Sequence, residues 1–246
     1  MVELRSQSRR FRFGAQLTSV IRRMNPDLVN IGEVIVHGVL FDPKNTEAWR
    51  NMDVVENIYR SVPLLFDLLD QRGVDYVLVG GIAMLTYVEG RNTQDIDLII
   101  SRNDLDKLPE IHIADQNSEF AQGSYCDLRI DFLFTDSKLF DHVRRKHVTT
   151  RRFVERVVPC ATVEGLLLLK LFALPSLYRQ AQFSKVNIYE ADVANLIARY
   201  KIPTQPLLDE LAKHMLASDV DEIRRIVADI EDRIARQSQR FGGGRQ

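Results

Sequence analysis

Apolar and polar positions alternate in short runs through the earlier part of the chain, then recur at helical spacing toward its end. Alternation over four to eight residues marks a half-buried strand, and recurrence at i, i+3, i+4 and i+7 marks one face of a helix. VIVHGVLFDP (34–43) is predicted as a strand ended by Pro43 and weakened at Gly38. VVENIYRSVPLLFDLLDQR (54–72) has the spacing of an amphipathic helix, kinked or broken at Pro63 and ended by Gly73. DYVLV (75–79) predicts a short buried strand, and GGIAMLTYVEG (80–90) opens on two glycines before helical spacing resumes. DIDLIIS (95–101) is an alternating, β-branched strand, followed by a short helix at 101–108 with a Ser or Asn cap. YCDLRIDFLF (125–134) reads as a third strand, and 137–147 as a helix.

From Val163 the texture is helical. TVEGLLLLKLFAL is a strongly apolar helix with Thr162 as its N-cap and a stop near Pro175. Further helices are predicted at 187–200, 206–216 and 219–238. The expected fold class is α/β (α+β): a mixed sheet with flanking helices, then a helical C-terminal lobe. The expected divisions are an N-terminal extension at 1–50 without an assigned role, a core at 51–158, a helical lobe at 159–240 and a flexible tail at 241–246. A cleft between two lobes is where ligand sites commonly form.

Composition narrows the class. With 45% hydrophobic and 27% charged residues over 246 positions, the chain is neither disordered nor collagen-like. No apolar run approaches the roughly 20 residues of a membrane-spanning helix, so no membrane partner is expected. The basic start MVELRSQSRRFRFG lacks the apolar stretch of a secretory signal. Two cysteines, Cys126 and Cys160, make no disulfide framework; a reduced, cytoplasmic setting and core positions are expected for them. The five histidines are scattered without zinc-ligand spacing, and His142 and His147 are expected at the surface.

The net charge of −1 conceals basic runs. One carries Arg5, Arg9, Arg10, Arg12, Arg22 and Arg23; a second carries Arg144, Arg145, Lys146, Arg151, Arg152 and Arg156; the tail is also basic. With Phe11, Phe13 and Phe153 among them, such runs suit a phosphate backbone, although solvated faces carry similar charge.

The candidate chemistry lies in VLVGGIAMLTYVEGRNTQDIDLII (77–100). Asp95 and Asp97, two apart in a strand, project from one face. Adjacent carboxylates repel unless a hard divalent cation with oxygen ligands neutralises them. Gly80 and Gly81, at a helix start, offer unhindered N–H groups to phosphate. Asp131, in the apolar setting LRIDFLF, is the favoured third carboxylate; Asp127, four residues earlier on the same face, is the competing one. Carboxylates beside a phosphate cradle are the parts needed for phosphoryl or nucleotidyl transfer.

This segment resembles the nucleotidyltransferase superfamily of DNA polymerase beta type: Gly-Gly, a spacer, Asp-x-Asp and a later acidic strand. RNTQDIDL (91–98) is similar to the form found in AbiEii-like and MenT-like toxin nucleotidyltransferases. LLLLKLFAL (166–174) resembles that group's lysine helix and places Lys170 at its lysine. KVNIYEADVANLI (185–197) resembles its two-Asp helix and places Asp192 at the second Asp, with Tyr189 standing where the first is expected and Glu190 out of register. The resemblance covers roughly residues 74–200. It implies a nucleotidyltransferase-type sheet and Mg²⁺ (or Mn²⁺) held by Asp95, Asp97 and Asp131. It further implies an NTP such as ATP at Gly80 and Gly81, with Arg91 and Thr93 at the triphosphate or acceptor. Lys170 is implied as a phosphate or pyrophosphate contact, and Asp192 as its orienter or as a base. The implied activity is transfer of NMP to tRNA or other RNA by the toxin of a toxin–antitoxin pair, with a cognate antitoxin as partner. A protein or small-molecule acceptor, and a non-catalytic nucleotide-binding partner, are the alternatives. Which NTP is used depends on pocket shape.

Overall fold

The computed structural model describes residues 28–42 and 52–242. The basic run at 1–23, Pro43, Trp49 and the last residues of the tail lie outside them. Among the described residues helix α1 (Ile31–Leu40) comes first, where the alternation predicted a strand. Asn30 decides the matter locally, accepting a hydrogen bond from the Glu33 N–H at 2.9 Å as an N-cap. Ile31 and Ile35 then fall one helical turn apart and bury together with Val36. Helix α2 (Met52–Gln71) follows and runs through Pro63 without ending. Burial of Val62, Leu65, Phe66 and Leu69 outweighs the one backbone hydrogen bond that proline removes.

A seven-stranded sheet forms the centre. In chain order its strands are β1 (Tyr76–Val79), β2 (Asp95–Ile100), β3 (His112–Gln116), β4 (Phe120–Tyr125), β5 (Leu128–Phe134), β6 (Val148–Arg152) and β7 (Val157–Ala161). In space the order is β3-β4-β5-β2-β1-β7-β6. β1 pairs antiparallel with β2 and parallel with β7, while β2 pairs parallel with β5. Short helices α3 (Gly80–Met84) and α4 (Arg102–Leu105) follow β1 and β2. Helix α5 (Lys138–Lys146) links β5 to β6. The Ser101 side chain caps α4, as the sequence predicts.

The single strand predicted over 125–134 is the end of one strand and the whole of another. Cys126, at φ 51°, turns the chain between β4 and β5, and it is exposed rather than in the core. Asp127 shares this turn and accepts from Asn57 Nδ2 at 2.9 Å, which removes it from the strand face that carries Asp131. The edge strands β3 and β6 and the inner strand β7 were not predicted. β3 is almost wholly exposed, and β7 carries Pro159, so neither shows clean alternation. Cys160 is buried, as expected.

Helices α6 (Val163–Arg179), α7 (Phe183–Tyr200), α8 (Gln205–Leu211) and α9 (Ala217–Gly242) complete the chain. Thr162 caps α6 by accepting from Gly165 N at 3.3 Å. α6 is apolar nearly all round, and it continues past Pro175 to Arg179 because Leu171, Leu174 and Pro175 are themselves buried. No helix among the described residues is long and apolar enough to cross a membrane. Phe132, fully buried on β5, has no room to collapse around. Phe132→Ala is expected to cost about 3–5 kcal/mol of stability, measured by urea denaturation.

Candidate active site

The register of β2 against β5 assembles the acidic face. Asp97 sits directly opposite Asp131, and Asp95 opposite Arg129, while Ile96 and Ile130 pair on the buried face. Period-two alternation therefore puts Asp95, Asp97, Arg129 and Asp131 together. Arg129 Nε binds Asp95 Oδ1 at 2.7 Å, so the outermost carboxylate already has a cation. Among the described residues Asp97 and Asp131 have none of that kind. Burial, then Asp131 and Asp95, push the Asp97 carboxyl up to about 7. Burial and Asp95 raise Asp131 as well, with Lys185 and Arg129 opposing.

The glycine pair meets Asp97 from the neighbouring strand. Val79, the last residue of β1, pairs with Asp97, so the chain enters α3 beside that carboxylate. Gly80 takes φ 62°, and a Cβ there would lie 1.8 Å from Asp97 Oδ2. Only glycine serves both the left-handed backbone and this approach. Gly81 donates its N–H to Asp97 Oδ2 at 3.2 Å. The pair thus seats a carboxylate before it meets any phosphate. Thr93 turns its side chain onto Gly81, where a Cβ would lie 2.6 Å from Thr93 Oγ1.

A second charged cluster faces the first. Asp192 on α7 is 6% exposed and Lys170 on α6 is 4% exposed, which makes them an exceptional pair of buried charges. Lys170 Nζ lies 2.7 Å from Asp192 Oδ2, and Arg91 pairs with the same oxygen. Burial and the Arg91 charge pull Lys170 well below its ordinary range, and Asp97 opposes them. With Lys170 protonated, two cations on one carboxylate leave a net positive charge beside the acids of β2 and β5. The Tyr189 ring covers Lys170, with Nζ 4.4 Å from its centroid. Burial and Asp97 push the Tyr189 hydroxyl up to about 12.

Of the predicted site residues, Asp95, Asp97 and Asp131 share one face, Gly80 and Gly81 abut Asp97, and Arg91, Lys170 and Asp192 form one ion cluster. Arg129, Lys185 and Tyr189 were not assigned a part. Arg129 was legible, because it stands two residues before Asp131 and so shares its face. Lys185 and Tyr189 are one helical turn apart on α7, and their nearness to Asp131 is tertiary. The carboxylate oxygens suit a hard divalent cation. Yet among the described residues no three His, Cys, Asp or Glu side chains stand in a metal-holding arrangement. Asp95 is held by Arg129 and Asp97 by Gly81 N–H.

Half of the second basic run is spent on acids. Arg144 pairs with Asp75 and Asp141, Arg145 with Asp141, and Arg156 with Asp67 and Asp70, at 3.1 and 2.9 Å for the last two. Arg151 lies over Tyr87. His142 and His147 are part-buried rather than at the surface, and His142 and His214 both contact Glu210, at 3.5 and 2.9 Å.

No family model matches the chain, and no curated protein matches it. Among solved structures it is similar to an antigenic nucleotidyltransferase-like protein from Paracoccidioides brasiliensis, at 18% identity and TM-score 0.44, over 66% of this chain and 91% of that one. It is also similar to the antibiotic-resistance factor ANT(2'')-Ia in solution, at 14% identity and TM-score 0.42, over 72% and 92%. The crystal structure of ANT(2'')-Ia with adenylyl-2''-tobramycin matches at 12% identity and TM-score 0.42, over 74% and 99%.

Asp97 makes the metal-free protein sensitive to pH. Its folded pKa of about 7 exceeds the ordinary carboxylate value of 3.8, so between these values the native state holds a proton that the unfolded chain has lost. Stability attributable to this group therefore falls as pH rises from about 4 to 7. Asp97→Asn is expected to flatten that dependence and to stabilise the chelator-treated protein at pH 8 by roughly 1–3 kcal/mol. Denaturant melts across pH check both. Gly80→Ala is expected to leave a folded protein with Asp97 displaced, seen as loss of the same pH dependence.

Proposed function

We propose that this chain is a metal-dependent nucleotidyltransferase that moves NMP from an NTP to an acceptor hydroxyl. The observation that carries the reading is the direct pairing of Asp97 with Asp131, with Asp95 on the same face and the Gly80–Gly81 turn against Asp97. In this reading Asp95, Asp97 and Asp131 hold Mg²⁺ (or Mn²⁺), after Asp95 exchanges its contact with Arg129. The bound cation supplies charge neutralisation at the α-phosphate and acidifies the acceptor hydroxyl.

The chain's own groups do the rest. Arg91 and Lys170, held together by Asp192, direct positive charge toward the triphosphate and the departing pyrophosphate. Gly80 leaves the approach to Asp97 free of any side chain. Tyr189 keeps water from the face of Lys170 that its ring covers. Asp192 orients Lys170, and its burial suits that role better than exchange of protons with solvent.

For the acceptor we propose RNA, with the tRNA acceptor end as the principal candidate and the chain acting as a cytoplasmic toxin with a cognate antitoxin. Arg129 and Lys185, both exposed beside the carboxylates, support an anionic acceptor. The run at 144–156 gives this less support than its charge count suggests, since Arg144, Arg145 and Arg156 pair with acids.

The test is a transfer assay with Mg²⁺, each α-labelled NTP in turn, and total tRNA. Label on tRNA is expected, and it is expected to vanish with Asp95→Ala/Asp97→Ala. Label on protein or on a small-molecule hydroxyl instead overturns the RNA acceptor. Absence of Mg²⁺–NTP binding by calorimetry overturns the enzymatic reading altogether. Lys170→Met, which keeps the volume and removes the charge, is expected to lower kcat about 100-fold or more.

A further inference from the structure

Residues 91–94 carry Arg91 to Asp192 and deliver the chain into β2 at Asp95, yet they belong to no helix or strand. No backbone ladder fixes them, so their place must be set by what they touch. Two glycines touch Thr93. A Cβ on Gly81 would lie 2.6 Å from Thr93 Cβ and Oγ1. A Cβ on Gly38, in the last turn of α1, would lie 2.3 Å from the Thr93 carbonyl oxygen and 2.9 Å from its carbon. The first contact is with a side chain; the second is with backbone that has no flexible end to move aside.

Gln94 fastens the same place. Its Nε2 donates to Gly38 O at 3.0 Å and to Asp42 Oδ2 at 2.9 Å. The first of these groups lies at the C-terminal end of α1, where helix carbonyls lack intrahelical partners. α1 is itself anchored at its other end. Gly32 N donates to Glu155 Oε1 at 2.9 Å, Val154 N donates to Val29 O at 3.0 Å, and Ile31, Ile35 and Val36 are buried. A fixed helix thus supports the loop that positions both charged clusters.

We propose that α1 is the seat of the 91–94 loop and that Gly38 is a positioning residue for the reaction. This rests on the nucleotidyltransferase reading for its kinetic consequences, though not for its structural ones. Gly38 has no positive φ, so alanine suits its backbone, and in a helix interior alanine is favoured over glycine. A glycine with no role beyond helix geometry would gain stability on substitution and leave the reaction alone. Here the added methyl group instead displaces the Thr93 peptide, and with it Arg91 and the start of β2.

The experiment compares the full chain with Gly38→Ala, Gln94→Ala and Gly32→Ala. Gly32 is the control on the same helix: its Cβ would meet the Tyr59 ring at 3.0 Å and Asn30 Oδ1 at 3.5 Å, and neither belongs to the 91–94 loop. Gly38→Ala is expected to lower kcat/KM for NTP about tenfold or more, and Gln94→Ala by a smaller factor. Gly32→Ala is expected to stay within about twofold of the unmodified chain. Hydrogen exchange supplies the second readout: amides of residues 91–95 are expected to exchange faster in Gly38→Ala and Gln94→Ala, and unchanged in Gly32→Ala. Unaltered kcat/KM together with unaltered exchange in both loop variants overturns the proposal. If the unmodified chain neither binds nor transfers a nucleotide, the functional reading fails, and exchange at 91–95 alone decides the role of α1. If Gly38→Ala does not fold, Gln94→Ala decides it, because that variant adds no atom.

Discussion

The site is organised around a carboxylate pressed against a glycine. Asp97 Oδ2 occupies the space that a side chain at position 80 would fill. That contact requires glycine at 80, the left-handed turn that ends β1, and the immediate start of α3. It also fixes β1 against β2 at Val79 and Asp97. Because β2 lies between β1 and β5, the same placement brings Asp97 opposite Asp131. One close approach therefore determines strand register, the helix start and the spacing of the acids.

The electrostatics divide into two facing clusters. On the sheet, the acids outnumber their partners, and burial with mutual repulsion raises Asp97 and Asp131. Facing it, Arg91 on the loop before β2 and Lys170 on α6 outnumber Asp192 on α7. Burying unpaired charge is costly, and breaking a buried pair leaves its partner uncompensated. Each cluster lowers the cost of the other, since Asp97 favours the charged form of Lys170 and Lys170 that of Asp97. A ligand that is anionic at its phosphates and brings its own cation would complement both at once.

Charge read along the chain and charge in space differ. The arginines at 144, 145 and 156 form a basic run in sequence, but the fold sets them against Asp67, Asp70, Asp75 and Asp141 on α2, α5 and the turn before β1. Arg129 and Lys185 are isolated in sequence, yet they flank the carboxylates. Ion pairing with distant acids is invisible to a local count.

The sequence alone determined what depends on local spacing. Alternation in DIDLII and LRIDFLF put Asp95 with Asp97 and singled out Asp131, and Thr162 and Ser101 marked their helix starts, because strand faces and caps are set within a few residues. Tertiary structure decided the rest. VIVHGVL alternates like a strand but becomes α1, where a cap at Asn30 and burial of Ile31 and Ile35 favour the helix. Asp127 shares the even spacing of Asp131 but is lost to the turn at Cys126. Pro63 and Pro175 fail to end their helices because packing outweighs one missing hydrogen bond. The pairing of Lys170 with Asp192 and Arg91, and the contact of Gly38 with Thr93, join positions far apart in the chain, and only the folded arrangement brings them within reach.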